Sequence, residues 1–431
     1  MRIDSRRSSE LRNRAVAVWT RDLDTTDQAG RLHIARAVRN IFAAEYETKE
    51  VSLDLLKNGL RPLAILKSIY LFTIGILLGK PLALQCALFG GVSTLKGFSD
   101  SPEAPNFIYL DGVRTLVLLR RLRVRWPEAK IVCDLDDLMS RRMSFWIRHR
   151  VGISFGYAEK LFGVPMVNIL SKGRLARLLI RYERFALSRA EREILHLSDA
   201  VVLVSSVDAQ EMRQRSPECL HSKIHVVLPP VMAKGAPIDR TPPYRLVFVG
   251  TDKLVQNRLT IEYLLDIWRT ERPRTSLHIF GIQQRAYETI PPNVLFHGFV
   301  EDLNEIYDGH SVLLTPSMIG GGVKTKVLEA FSYGIPVIGT NFTFEGMNLP
   351  AYPLIFEDRH SLAAAIKNLD ALTESFSLAV RIGTEFLANE LTPTKFTTRW
   401  RQLAGSRPSA ISRQAEFLLA AESSIHVSST L

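Results

Sequence analysis

Short apolar runs, each followed by a polar loop and then by a stretch with apolar residues three and four apart, recur along this chain from Arg14 to Tyr333. Runs of this length, rich in branched side chains, suit the fully buried strands of a parallel sheet, and the three-and-four spacing suits helices laid across it. In the first half, strands are predicted at Arg14–Trp19, Glu50–Asp54, Phe107–Leu110, Lys130–Cys133, Ala200–Ser205 and Ile224–Leu228. Helices are predicted over Gly30–Phe42, over Arg61–Phe89 with a break near Gly79 and Pro81, after Asp111 and Arg114 through the basic run to Arg125, and over Arg174–Leu197. Proline sets the break, because it cannot continue a helix. A further helix follows Ser205, with Asp208 a candidate cap.

Between Pro229 and Pro243 five prolines and a glycine interrupt the pattern, which is a linker signature. The alternation then restarts, with strands at Arg245–Val249, Leu277–Phe280, Val294–Phe296, Ser311–Thr315 and Val337–Ile338, and helices over Leu259–Trp268 and Val323–Tyr333. The expected organisation is therefore α/β: a first domain over 1–235, a second over 236–405, each a doubly wound Rossmann-like unit, and a serine-rich, poorly ordered tail over 406–431. Ligands bind such sheets beyond the carboxyl ends of their strands, so the cleft between the domains is the expected site.

A length of 431 residues is consistent with two cores, since single cores stop growing at roughly 250–300 residues. The net charge of +11 favours anionic partners. Nucleic acid is not expected among them, because no zinc-finger spacing or aromatic-interleaved basic motif is present. Cys86, Cys133 and Cys219 show no pairing pattern and read as buried free thiols of a reducing compartment. The N-terminus lacks the apolar core of a signal peptide, and the expectation is a cytoplasmic protein. Ile69–Gly79 is apolar but far short of the ~20 residues of a spanning helix, so a buried or interfacial helix is expected there.

The chemistry concentrates in PSMIGGGVKTKVLEAFSYGIPVIGT, from Pro316 to Thr340. Gly320, Gly321 and Gly322 stand between a buried strand and a helix start, the arrangement that aims backbone N–H groups and a positive helix end at an anion. Lys324, Lys326 and Glu329 follow on the helix, where cations suit a diphosphate and a carboxylate suits hydroxyls. A tight turn beside a solvated lysine face is the plainer reading of the same residues. In the first half, Asp134, Asp136 and Asp137 follow a strand; they suit a divalent cation, a metal-free binding crevice, or helix capping. Gly30 suits close approach of a ligand or of the other domain, or a simple helix start.

The run from Gly320 to Thr340, with Glu345-Gly346 after it, resembles the donor-binding signature of the retaining, family-4 or group 1 type glycosyltransferases of the GT-B fold. Phe248-Val-Gly250, Phe280-Gly281, His297-Gly-Phe-Val-Glu-Asp302 and Ser198–Ser205 support the resemblance, which spans about Arg14 to Leu403. It implies two Rossmann-like domains facing across a cleft. It also implies transfer of a sugar from a nucleotide-diphosphate donor to a hydroxyl acceptor, with retention, in polysaccharide or glycolipid synthesis.

Residue by residue, the resemblance implies that Glu329 holds the ribose hydroxyls, that Gly250 and Gly320 to Val323 line the diphosphate and sugar, and that the backbone of Phe299 and Val300 meets the base. Lys324 and Lys326 fall beside the phosphates. Together with Glu329 and Asp136, which stands near the family's histidine position, they are the catalytic candidates. Gly30, Asp111 and Arg114 are the acceptor-side candidates. The resemblance implies no metal or other cofactor. It implies as partners a nucleotide sugar and a saccharide, lipid-linked saccharide or small-molecule acceptor. The basic helix around Arg120 to Arg125 and the apolar segment around Ile69 suit peripheral contact at the inner face of a membrane, or a solvated basic face. The chain departs from the family at Gly321, which lacks the earlier of two carboxylates eight apart, and at Thr251 and Asn257, which replace an arginine and a lysine. A catalytically inactive GT-B-like binding or scaffold protein is the alternative these departures leave open.

Overall fold

The computed structural model describes residues 14–25, 30–55, 61–92, 104–151, 173–234 and 241–405. Two parallel sheets form from successive parts of the chain. The first contains β1 (Arg14–Trp19), β2 (Glu47–Ser52), β3 (Phe107–Asp111), β4 (Lys130–Asp136), β5 (Ala200–Leu203) and β6 (Ile224–Val226), in the order β2-β1-β3-β4-β5-β6. The second contains β7 (Arg245–Val249), β8 (Leu277–Phe280), β9 (Val294–Gly298), β10 (Ser311–Leu314) and β11 (Val337–Ile338), in the order β11-β10-β7-β8-β9.

Alternation along each strand decides which face a residue serves. In the first sheet Val16, Val18, Ile108 and Leu110 enter one apolar cluster, whereas Ala15, Ala17, Trp19, Phe107 and Tyr109 enter another. Both faces are therefore covered, as a parallel sheet requires. The helices of this half are α1 (Gly30–Glu45), α2 (Pro62–Leu77), α3 (Leu84–Val92), α4 (Leu116–Arg125), α5 (Met139–Arg148), α6 (Gly173–Leu197) and α7 (Ser206–Gln214). Those that follow are α8 (Val255–Glu271), α9 (Thr325–Ser332), α10 (Arg359–Lys367), α11 (Thr373–Glu390) and α12 (Pro393–Ala404).

Several expectations need correction. The second strand runs Glu47–Ser52 rather than 50–54, because it is an edge strand whose charged residues stay exposed and break the apolar run. Ser205, not Asp208, caps α7; its Oγ accepts from the Asp208 amide. Cys219 is exposed, whereas Cys86 and Cys133 are buried. In α2 the only buried residue is Ser68, so this apolar helix is not a core helix.

The last helix, α12, packs on the first half. Trp400 meets the rings of Phe42 and Tyr109 at 5.9 and 5.7 Å, and Arg401 Nε donates to Glu45 at 2.9 Å. The two halves are packed together elsewhere as well, because the first core takes in Val255 and Ile319.

Strand order reverses between β1 and β3 in one sheet and between β7 and β10 in the other, which creates a crevice at each carboxyl end. The loops after β1 and β3 carry Thr20 and Asp111. Those after β7 and β10 carry Gly250 and the glycine turn.

Candidate functional site

The glycine turn connects β10 to α9. Gly321 and Gly322 have φ of 107° and 62°, a region that side chains rarely enter, so the turn needs glycine there. Their amides are held by carboxylates: Gly321 N donates to Glu345 Oε1 at 2.8 Å, and Gly322 N donates to Asp208 Oδ2 at 3.0 Å. Asp208 belongs to the first half, so the second bond crosses the cleft. A Cβ on Gly320 would lie 2.5 Å from Glu345 Oε2, so the bare backbone makes room for that carboxylate.

Arg141, in the first turns of α5, completes the crossing. Its two terminal nitrogens donate to Glu345 at 2.5 and 2.8 Å, one of them also to Asp208 at 3.3 Å, and its Nε pairs with Glu211 at 2.8 Å. Burial raises the Glu345 carboxyl, but Arg141 and the Gly321 amide outweigh it and hold the group below its ordinary value. Asp208 goes the other way: burial and the neighbouring Asp137 push it up to about 6 against the Gly322 amide and Arg141.

Lys324 and Lys326 enter the same region from the start of α9. Lys324 Nζ donates to Gly321 O at 2.8 Å. Lys326 Nζ donates to Asn257 Oδ1 at 2.8 Å and lies 4.2 Å from the centre of the Phe248 ring. A Cβ on Gly250 would come within 2.9 Å of Lys326 Nζ, so Gly250 is what lets this lysine sit over the end of β7. Burial lowers both ammonium groups, Lys324 to about 8 and Lys326 to about 7, although Glu345 and Glu329 respectively pull them back up. Burial raises Glu329, while Lys234 and Lys326 oppose it. Val323 packs against the second core. Phe299 is 61% exposed and Val300 packs on that core; both follow β9 and stand outside the network around the turn.

On the first half, Asp111 accepts from Thr20 N at 3.1 Å, Thr20 Oγ1 at 2.8 Å, Arg21 Nε at 3.1 Å and Arg31 at 3.2 Å. Although burial opposes it, Arg21 and Arg31 hold this carboxyl well below the ordinary range. Arg31 also pairs with Asp134 at 2.7 Å and Asp136 at 3.4 Å. Asp136 adopts a left-handed backbone with φ of 68°, and burial, despite Arg31, raises its pKa. Arg114 is turned toward Gln85, with Nε to Oε1 at 3.0 Å.

The aspartate cluster does not converge. Asp134 is committed to Arg31 and Tyr109, and Asp137 to Arg142. Among the described residues, no group of three or more potential ligands is placed to hold a metal ion.

The structure thus brings Gly250, Gly320 to Gly322, Lys324 and Lys326 into one region, and Asp111 and Asp136 together around Arg31. It is Asp137, rather than Asp136, that faces the turn: a Cβ on Gly321 would lie 3.2 Å from Asp137 Oδ2. Gly30 serves the approach of the halves, since a Cβ there would lie 2.6 Å from Thr325 Oγ1 at the start of α9. Sequence reasoning missed Arg141 and a structural role for Glu345, and it read Asp208 only as a helix cap. Glu345 had a signal as part of the Glu345-Gly346 pair after the signature; Arg141 had none.

Residues 243–371 match the family model described as group 1 glycosyl transferases. Solved structures match nearly the whole chain. Sucrose-phosphate synthase from Thermosynechococcus elongatus has a TM-score of 0.60 at 13% identity, covering 91% of this chain and 98% of its own. The lipopolysaccharide outer core galactosyltransferase WaaB in its apo form has a TM-score of 0.52 at 15% identity, covering 90% and 98%. Anabaena Alr3699/HepE in complex with UDP-glucose has a TM-score of 0.52 at 11% identity, with the same coverage. A sequence search of curated proteins gave no match. At these identities the structural likeness is one of fold, and the fold is GT-B. Together with the domain match it supports a GT-B glycosyltransferase of the group 1 type.

Proposed function

We propose that the protein transfers a sugar from a nucleotide-diphosphate donor to a hydroxyl acceptor with retention at the anomeric carbon. The observation that carries this reading is the glycine turn at the reversal between β7 and β10, with two backbone amides and two half-buried lysines gathered on one spot. In the reaction the bond from the anomeric carbon to the diphosphate breaks with its electron pair going to the diphosphate, and the acceptor oxygen bonds to that carbon as its proton passes to an oxygen of the leaving diphosphate. Charge grows on the leaving group, so fixed amides and cations placed there stabilise the transition state more than the ground state. Lys324, Lys326 and the amides of Gly321 and Gly322 are the groups proposed for this, with Glu329 on the ribose. Glu345 brings a carboxylate to the turn at which position 321 has none. Asp111 and Asp136 would face the acceptor.

Amides that suit a diphosphate also suit carboxylates, and here Asp208 and Glu345 take them. Donor entry on this reading displaces both, which couples binding to movement of the domains. The test is a screen of nucleotide sugars by melting temperature, repeated with Glu329→Ala. A rise confined to one nucleotide and lost in the variant is the expected result, and no rise with any nucleotide would overturn the reading. Binding without turnover toward any hydroxyl acceptor would instead favour the inactive binding protein.

A lipid-linked acceptor would place the protein at a membrane surface. No helix among the described residues is long and apolar enough to cross a membrane. The exposed apolar residues of α2, Leu63 at 77% and Tyr70 at 64% among them, support peripheral contact. Leu63→Ser with Tyr70→Ser should then reduce sedimentation with anionic vesicles; unchanged sedimentation would remove the idea.

A further inference from the structure

A second concentration of positive charge lies outside the glycine turn, between α5, α6 and α7. Arg184, Ser188 and Arg192 follow one another at intervals of four on α6 and so share a face. With Ser140 of α5 and Arg215 just past α7 they line an open cavity of about 340 Å³. None of these five lining residues is acidic.

The charges in this cavity are poorly balanced. Among the described residues, Arg184 forms no ion pair and Arg192 donates only to Ser188 O, at 3.4 Å. Arg215 is paired with Glu211 and donates to Ser140 Oγ at 3.1 Å. Glu191 lies behind Ser140, whose amide donates to it at 2.9 Å and whose hydroxyl also donates to it; burial pushes its carboxyl up to about 7, so near neutral pH it offsets only part of the charge in front. Burial first lowers Arg215, and the charges of Arg184, Arg141 and Arg192 lower it further, against the pull of Glu191.

We propose that this cavity binds the phosphoryl group of a phosphate ester. Three guanidinium groups and the Ser188 hydroxyl offer more donors than the two oxygens of a carboxylate can use, whereas a phosphoryl group presents three oxygens and up to two charges. The volume exceeds a lone phosphate, so part of the esterified group also lies inside. A soluble phosphate ester and a phospholipid headgroup present the same chemistry. The inference does not depend on sugar transfer, because it uses none of the residues around the glycine turn.

The test is calorimetric titration of inorganic pyrophosphate into the full chain at low ionic strength. Lys324→Ala/Lys326→Ala serves as the background, so that the glycine turn does not contribute. One pyrophosphate should still bind, and adding Arg184→Gln/Arg192→Gln should weaken it at least about tenfold, the loss expected when charge-assisted hydrogen bonds are removed. Both arginines are exposed and glutamine is a good helix former, so folding is preserved; an unchanged melting temperature checks this. Ser188→Asp, which places a negative charge in the cavity, should weaken binding in the same way.

Vesicles of phosphatidylcholine containing phosphatidic acid distinguish the sources. Sedimentation lost in the arginine variant supports the site with a headgroup as its ligand. Sedimentation unchanged while pyrophosphate binding is lost supports it with a soluble ester. Pyrophosphate binding that is absent in the lysine background, or indifferent to the arginines, overturns the proposal.

Discussion

Arg141→Gln should loosen the packed halves, and its effect should depend on pH. Arg141 is 11% exposed and Glu345 7%, and Asp208 is fully buried. The substitution leaves two carboxylates facing the glycine turn without their shared cation. Removing one partner of a buried pair costs about 3–5 kcal/mol. The Gly321 and Gly322 amides stay in place, so the lower end, about 3 kcal/mol, is expected near neutral pH. At roughly 2–4 °C per kcal/mol for a domain of this size, the melting temperature should fall by about 6–12 °C.

The pH dependence follows from the two directions. Glu345, held below its ordinary value, contributes stability that is present above its unfolded value and lost as pH falls through its folded one. Asp208, raised to about 6, penalises folding once pH rises through that value, and more so without Arg141. Lowering the pH to about 5 therefore protonates Asp208 in the variant and narrows the gap to wild type. Scanning calorimetry of both proteins across this range reads the effect. A fall below about 3 °C near neutral pH, or one undiminished at about pH 5, would refute the reasoning.

Gly30→Ala should destabilise by about 1–3 kcal/mol, the cost of overpacking, because its Cβ would lie 2.6 Å from Thr325 Oγ1. Thr325→Ser in the same chain should recover part of this, since it removes the Cγ2 that would lie at 2.7 Å; no recovery in a denaturation series would assign the cost to the helix start instead. Binding of a nucleoside diphosphate should take up protons, because Lys326, at about 7 in the free protein, rises when an anion arrives beside it. Uptake should approach one proton near pH 8, with a further share from Lys324, and vanish near about pH 6 where Lys326 is already charged. Calorimetry in buffers of different ionisation heat measures it, and a pH-independent uptake would count against Lys326 as a phosphate contact.

What the sequence made legible is what local chemistry controls. Arg14–Trp19 reads as a strand because five of its six residues are buried between two covered faces. Glu47–Ser52 does not, because its edge position is a property of the sheet and its residues look like a loop. Helices α5, α10, α11 and α12 went unread, although Thr392 before Pro393 and Gly405 after Ala404 are strong start and stop signals for α12. That α12 rests on the first half was beyond reach, since Phe42 and Tyr109, the partners of Trp400, lie far upstream in the first half.

The site divides along the same line. Three glycines between a strand and a helix announce that something approaches the backbone closely, and they say so correctly. They do not say what. Gly320 admits Glu345 and the ring of Phe145, Gly30 admits Thr325, and the amides of Gly321 and Gly322 meet carboxylates from opposite halves of the chain. Arg141, which joins those halves, lies 204 positions from Glu345, and no periodicity or motif connects the two. A glycine turn therefore specifies an anion but leaves its source open. Here the chain's own carboxylates take the amides that the proposed diphosphate would need, so on that proposal their displacement is the step on which donor binding would depend.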